Sequence, residues 1–257
     1  MYKEHPSFKK PESNKTKIWR YIDFTKFVSV LAKQQLFFAR SDKLGDPFEG
    51  SYPTKNVEQR KLNHTKLLKS LPPHIKIMIE GRPQAISEFH KNIRKFIFIS
   101  GWHKNKNESA AMRNLYLKSN EGIAIQSTFA CLRDSFIAKT PDIYIGEVEY
   151  RDYFNQKISE NNFFSPFLHK RSSFEHEQEL RAIILTYNKT KENLPNFKNP
   201  PSQDGISVPV DLGKLIQNIY VAPTSPKWFV ELVKSVSKKY GLAKPVIQSE
   251  LDKKPAY

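Results

Sequence analysis

Apolar positions along the 257-residue chain follow two periods, and the switches between them mark the elements. The first 16 residues are polar and proline-containing and read as a loose arm. In KIWRYIDFTKFVSVLAKQQLFFAR a strand gives way to a helix and then to a second strand. Asp23 stands where a helix N-cap belongs, and a 3.6-residue period puts Phe24, Phe27, Val28 and Leu31 on one face. Leu36 to Arg40 forms the second strand. SDKLGDPFEGSYP must then be a loop, because Gly45, Asp46, Pro47 and Gly50 all interrupt regular structure.

Residues 54–95 read as lysine-rich helix, interrupted at Pro72-Pro73 and again from Gly81 to Pro83. KFIFISGWH returns to a buried strand, and Asn107 is placed to cap a helix over Glu108 to Leu117. Further on come a strand at Gly122 to Ser127, a helix at Thr128 to Ile137 and a strand at Ile143 to Tyr150. A strand over 179–187 leads to a polar loop from Asn188 to Asp204. The chain closes with strand, short helix, strand, a helix in SPKWFVELVKSVSKKYGL, and a last strand in PVIQS. No internal repeat or linker divides it. Short strands and helices in irregular order predict a single α+β domain over residues 1–257, with a helical insertion at 54–95.

Composition sharpens this reading. Hydrophobic residues at 39% and aromatics at 12% suffice for a packed core. One cysteine, Cys131, excludes a disulfide framework and a cysteine-based metal site, and it falls on the apolar side of a helix. The seven histidines have no metal-ligand spacing, so no metal is expected. No apolar run approaches a membrane span, and the N-terminus lacks a signal-peptide core, which points to a cytoplasmic protein with no membrane partner. The formal charge is +16, and from Pro53 to Lys118 there are 14 Lys/Arg against 4 Asp/Glu. Such a surface attracts phosphates, so nucleic acid is an expected partner. Lys61, Lys66, Lys69 and Lys76 are the natural contacts; an acidic neutralising partner would also suit the charge.

Chemistry has to come from polar residues at strand ends. No glycine-rich phosphate loop is present among only nine glycines. Arg20 and Tyr21 form one group. Arg40, Asp42, Asp46 and Glu49 form a second, in a loop that Phe48 can anchor. Trp102, His103, Glu108, Ser109 and Tyr116 form a third, where a strand leads into a helix. The most unusual stretch is KRSSFEHEQELRAIIL, residues 170–185, with Glu175, Glu177, Glu179 and Arg181 at every second position. As a helix it would pair Glu177 with Arg181 at i,i+4. As a loop through Gln178 entering a strand at Glu179, it would set two carboxylates roughly 6–7 Å apart facing a cleft. Two such carboxylates suit stabilisation of a positive charge, for example an oxocarbenium ion at a ribose C1.

RYIDFTKFVSVL, LFFARSDKLGDPFEGS, GWHKNKNESAAM, GIAIQST and KRSSFEHEQELRAI together resemble a widespread bacterial family of unknown function whose members occur in defence and mobile genetic neighbourhoods. The resemblance runs from about Trp19 to Ile184, and DPFEGS and E-x-E-x-R are its most specific parts. Arg113 departs from it, since the family tends to place tryptophan there.

A more distant similarity is to ADP-ribosyltransferases of toxin and defence systems. It implies a mixed, mostly antiparallel central sheet and NAD as substrate. It also implies an early-strand arginine on the phosphate or ribose (Arg20), a middle-strand hydroxyl pair (Ser127 and Thr128), and late glutamates (Glu177 and Glu179). Glu179 would then be the principal catalytic carboxylate and Glu177 the residue positioning the acceptor. Arg40 would help bind NAD, while Tyr21, Trp102 or Tyr116 would stack on nicotinamide or a base. Two other readings stand beside this one. One is a metal-dependent nuclease using Asp42, Asp46, Glu49 and Glu179 around magnesium. The other is a nucleic-acid-binding or sensor module in which E-x-E-x-R is a structural ladder of ion pairs.

Overall fold

The computed structural model describes residues 1–117, 119–137, 141–192, 194–253 and 255. Its strands and helices follow in order. β1 (Lys17–Asp23), α1 (Phe24–Lys33) and β2 (Gln35–Arg40) precede three consecutive helices, α2 (Thr54–Ser70), α3 (Pro73–Ile79) and α4 (Arg82–Ile93). Next come β3 (Ile97–Lys104), α5 (Ala110–Tyr116), β4 (Gly122–Thr128), α6 (Phe129–Ser135), β5 (Tyr144–Glu147), β6 (Glu149–Arg151), β7 (His169–Arg171) and β8 (Glu179–Leu185). The chain ends with β9 (Asn188–Lys189), β10 (Pro195–Asn196), β11 (Gly205–Pro209), α7 (Leu212–Leu215), β12 (Asn218–Val221), α8 (Lys227–Lys239) and β13 (Val246–Gln248).

Nine strands form one mixed, mostly antiparallel sheet in the order β11-β2-β3-β1-β4-β12-β13, with β8 on β3 and β5 on β8. Only β12 and β13 pair in parallel within it. β3 is the branch point. β8 covers one edge of β3 from Ile97 to His103. The other edge is shared: β2 pairs at Ile99 and Phe98, and β1 only at Lys104 and His103. Between these two contacts the sheet splits at Ser100 to Trp102.

Period-2 alternation decides what each face carries. One face packs Ile18, Phe98, Trp102, Ile123, Ile125, Leu180, Ala182 and Ile184 against Phe27 and Leu31 of α1, Phe129 and Leu132 of α6, Leu215 of α7, and Phe229 and Val233 of α8. The opposite face carries two smaller cores. Ile97, Ile99 and Ile183 pack with Phe8, Phe164 and Phe167, while Trp19, Tyr21 and Ala124 pack with Met112 and Leu117. Between these two cores the same face presents Gly101 beside Arg181 and His103 beside Glu179.

Several local expectations hold, and several are corrected. Asp23 caps α1, accepting from the Lys26 N–H at 2.7 Å. Gln178 is the last loop residue before a strand that starts at Glu179, so the helical reading of E-x-E-x-R gives way to the strand reading. The cap of α5 is Ser109, not Asn107; its hydroxyl accepts from the Met112 N–H at 3.3 Å. The strand expected over 143–150 breaks in two at Val148, where β5 and β6 part. The N-terminal arm is not loose: Tyr2 bridges to Ile143, and buried Phe8 meets Phe164 edge-on with ring centroids 5.0 Å apart. Burial of Phe8 and backbone hydrogen bonds, such as Lys3 N–H to the Ile143 carbonyl at 2.9 Å and Glu147 N–H to the Lys9 carbonyl at 2.8 Å, fasten the arm despite its polar composition.

Candidate active site

The gap between the two smaller cores opens into a cleft of about 590 Å³, lined by β1, β2, β3, β7 and β8 and by the loop around Asp46. Its floor is an ion network. Arg181 forks onto Glu49, with NH1 to Oε1 at 2.5 Å and NH2 to Oε2 at 2.8 Å, and both side chains are only 1% exposed. The same guanidinium donates to the Phe167 carbonyl at 2.6 Å and to Glu179 Oε2 at 3.0 Å. Lys170 Nζ bridges the two glutamates, at 2.5 Å from Glu177 Oε2 and 3.3 Å from Glu179 Oε2. Three carboxylates therefore face two cations, leaving one formal negative charge in the floor.

The two most specific sequence segments meet in this network. In DPFEGS, Asp46 accepts from the Phe48 N–H at 3.0 Å and from Arg171 at 2.7 Å. Phe48 lies under the Arg171 guanidinium at 4.4 Å from ring centroid to carbon. Glu49 reaches Arg181, and Gly50 turns the chain at φ +68°, where any Cβ would overlap the Phe167 ring. Gly101 works similarly across from Arg181: a side chain there would occupy the place of Glu179 Oε1.

Burial pushes the Glu179 carboxyl upward in pKa, but Arg181 and Lys170 together pull it below the usual carboxylate value. It is held as a carboxylate. Its backbone N–H donates to the Tyr150 hydroxyl at 2.8 Å, which ties the start of β8 to β6. Tyr116, half exposed on the rim, donates to Glu177 Oε1 at 3.5 Å.

Arg20 closes the split in the sheet. Its guanidinium donates to the Ser100 hydroxyl and, at 3.1 Å, to the Phe37 carbonyl, and sits 5.7 Å from the Trp102 ring centroid. Among the described residues no carboxylate lies within ion-pair distance of it. Desolvation alone lowers its pKa to about 10. A cation with only neutral partners, at the edge of an open cleft, is arranged to receive an anion.

The cleft thus gathers Arg20, Tyr21, Trp102, Tyr116, Glu177 and Glu179. Tyr21 accepts from the Ser109 N–H at 2.9 Å, and burial raises its hydroxyl to about 12. Trp102 belongs to the large core and is 1% exposed, so its indole offers no free stacking surface. Ser127 and Thr128 lie elsewhere. Ser127 pairs with Ile18, so the two-residue period sends it to the core face, where its hydroxyl donates to the Leu215 carbonyl. Thr128 caps α6 through the Cys131 N–H at 3.2 Å.

Arg40 also lies outside the cleft lining. It is consumed by a fork on Asp42 and by the Pro201 and Gln203 carbonyls. The four carboxylates of the magnesium reading are each held by an arginine: Asp42 by Arg40, Asp46 by Arg171, and Glu49 and Glu179 by Arg181. Among the described residues no group of three or more His, Cys, Asp or Glu side chains is placed to hold a metal. Lys61, Lys66 and Lys69 are exposed on α2, and Lys76 is half-buried on α3.

Arg113, where tryptophan was expected, is buried in an ion pair with Glu108 and donates to the Gly122 carbonyl at 3.2 Å. Lys170 and Arg171 were not singled out from sequence, although they stand directly before the glutamates. Their only signal was that two cations adjoin an acidic run.

No protein-family model matches the chain. No curated protein matches it in sequence. In backbone path it is similar to DarT from Thermus sp. 2.9 in complex with NAD+, with 9% identity and a TM-score of 0.42 over 94% of this chain and 98% of that one. The carba-NAD+ complex of the same protein aligns over 93% and 97%, at 9% identity and a TM-score of 0.40.

Proposed function

We propose that the protein is an NAD-dependent ADP-ribosyltransferase of the toxin or defence type that modifies nucleic acid. The observation that carries this reading is the polarity of one cleft. Its lining holds both a cation without a counter-charge among the described residues, Arg20, and a carboxylate cluster with one uncompensated formal negative charge, centred on Glu179. In this reading Arg20 takes the pyrophosphate of NAD, and Glu179 holds a hydroxyl of the nicotinamide ribose. The bond from ribose C1 to nicotinamide breaks with its electron pair leaving on the neutral base. The positive charge left on the ribose is stabilised by the Glu177–Glu179 pair. The acceptor then bonds to C1 and releases a proton. Arg181 and Lys170 hold Glu179 as the carboxylate, and Lys170 ties it to Glu177, so both are aimed and no reorganisation is needed as charge develops.

The acceptor would be held by Lys61, Lys66, Lys69 and Lys76, which favour a polyanion. The volume of the cleft supports a ligand of dinucleotide size. One observation favours a second reading, a structural ladder: Glu179 already satisfies two cations. Incubation with NAD labelled in its adenylate half, together with RNA, single-stranded DNA or protein, separates them. Label on nucleic acid with release of free nicotinamide is the expected result. NAD that remains intact with every acceptor would remove the transferase reading.

A further inference from the structure

The turn that aims Glu177 and Glu179 is held from outside. Gln178 sits at φ 39°, ψ 55°, the left-handed region that side chains disfavour. The end of β3 brackets it. The ring nitrogen Nδ1 of His103 is 2.6 Å from the Glu177 carbonyl, and the Lys104 N–H donates to the Gln178 carbonyl at 2.9 Å. A carbonyl only accepts, so Nδ1 carries the proton, and neutral imidazole is left with an acceptor at Nε2. Nε2 is buried without a hydrogen-bond partner, and the whole residue is 6% exposed.

We propose that neutral His103, protonated at Nδ1, is a positioning residue that clamps the Glu177–Gln178 turn and so sets the two cleft carboxylates. Its consequence for turnover rests on the transferase reading. His103 stands opposite Glu179 in register, so its hold acts at the point where β8 begins. A second proton, on Nε2, would be a buried charge with no acceptor. Desolvation lowers the imidazole pKa, partly offset by the Glu177 carbonyl and carboxylate, while His176 adds to the lowering. The other groups facing the ring are Glu179 on β8 and Tyr21 on β1, whose ring centroid is 6.4 Å away. The clamp therefore stays in its neutral form to lower pH than an ordinary histidine would.

His103→Leu removes the donor, whereas His103→Asn places an amide N–H where Nδ1–H stood. Two measurements on the same preparations test the clamp. In amide hydrogen exchange, Lys104 and Glu179 should exchange about tenfold faster in His103→Leu and return towards wild type in His103→Asn. With NAD, His103→Leu should lower kcat roughly 10–100-fold at nearly unchanged KM, and His103→Asn should recover most of it. Unchanged exchange in His103→Leu overturns the proposal. So does an Asn variant with restored exchange but the full loss in kcat, because that would mean Nε2 acts on substrate directly. If the wild type leaves NAD intact, the transferase reading falls, and hydrogen exchange still decides the clamp.

Discussion

The cleft floor and the helices α2 to α4 are both dense in charge, but their surroundings make that charge do different things. In the floor, Glu49 and Arg181 are 1% exposed and joined by two hydrogen bonds. On the helices, Asn56 is the only buried residue of α2, α3 has none, and Ile77 and Met78 are 76% and 79% exposed. Removing one member of the floor network leaves a partner desolvated and uncompensated, whereas a helix lysine stays in water either way. Charge in the floor is therefore tied to the fold and to the geometry of Glu179, whereas Arg60 of α2 is paired with Glu160 and the exposed Lys61, Lys66 and Lys69 are left to meet a partner.

The sharpest break in this comparison should come from Arg181→Met. It strands Glu49 and Glu179 without their shared cation and should cost about 3–5 kcal/mol, a fall in melting temperature on the order of 10 °C. A loss as small as that of a surface substitution would erase the contrast. Glu179→Gln comes next. Lys170 keeps Glu177 and Arg181 keeps Glu49, so stability should fall far less, while NAD turnover drops about two to three orders of magnitude, equivalent to roughly 3–4 kcal/mol. A variant that is unstable yet fully active per folded molecule would make Glu179 a rung of a structural ladder.

Glu179 also sets a pH dependence. Its folded pKa lies below the unfolded value, so its contribution to stability is complete above the unfolded value and is lost as pH falls through the folded one. Acid-unfolding curves of wild type and Glu179→Gln should converge in that window, and parallel curves would contradict it. Gly101→Ala should act more mildly, pushing Glu179 aside and lowering turnover about tenfold or more with the network still formed. Wild-type kinetics in this variant would show that the position of the carboxylate is not critical. The smallest effect on the fold should come from reversing Lys61, Lys66, Lys69 and Lys76 to glutamate, within about 0.5 kcal/mol per site. Nucleic-acid affinity should nevertheless fall and its salt dependence flatten; an unchanged salt slope would return these lysines to ordinary solvated surface.

How much of this was legible beforehand depends on the range of the interaction involved. Asp23 as a cap, the apolar face of α1, the helices after Thr54 and the entry to β8 at Glu179 all follow from neighbours within a few residues. Ser127 and Arg40 were legible only as polar residues at strand ends. Their direction depended on pairing partners, Ile18 for the one and the loop carbonyls near Pro201 for the other.

The sequence by itself determined the alternation of strands and helices, the lysine-rich helical stretch and the two unusual segments, DPFEGS and E-x-E-x-R, because periodicity, capping and backbone-breaking residues act locally. Only the tertiary structure decided that these two segments are halves of one network. The Glu49–Arg181 fork joins residues 132 positions apart, and Arg20 becomes a cation without a counter-charge only where β1 and β2 part along β3. Such relations depend on sheet order and register, which arise from packing the whole core and leave no mark in any short stretch of the chain.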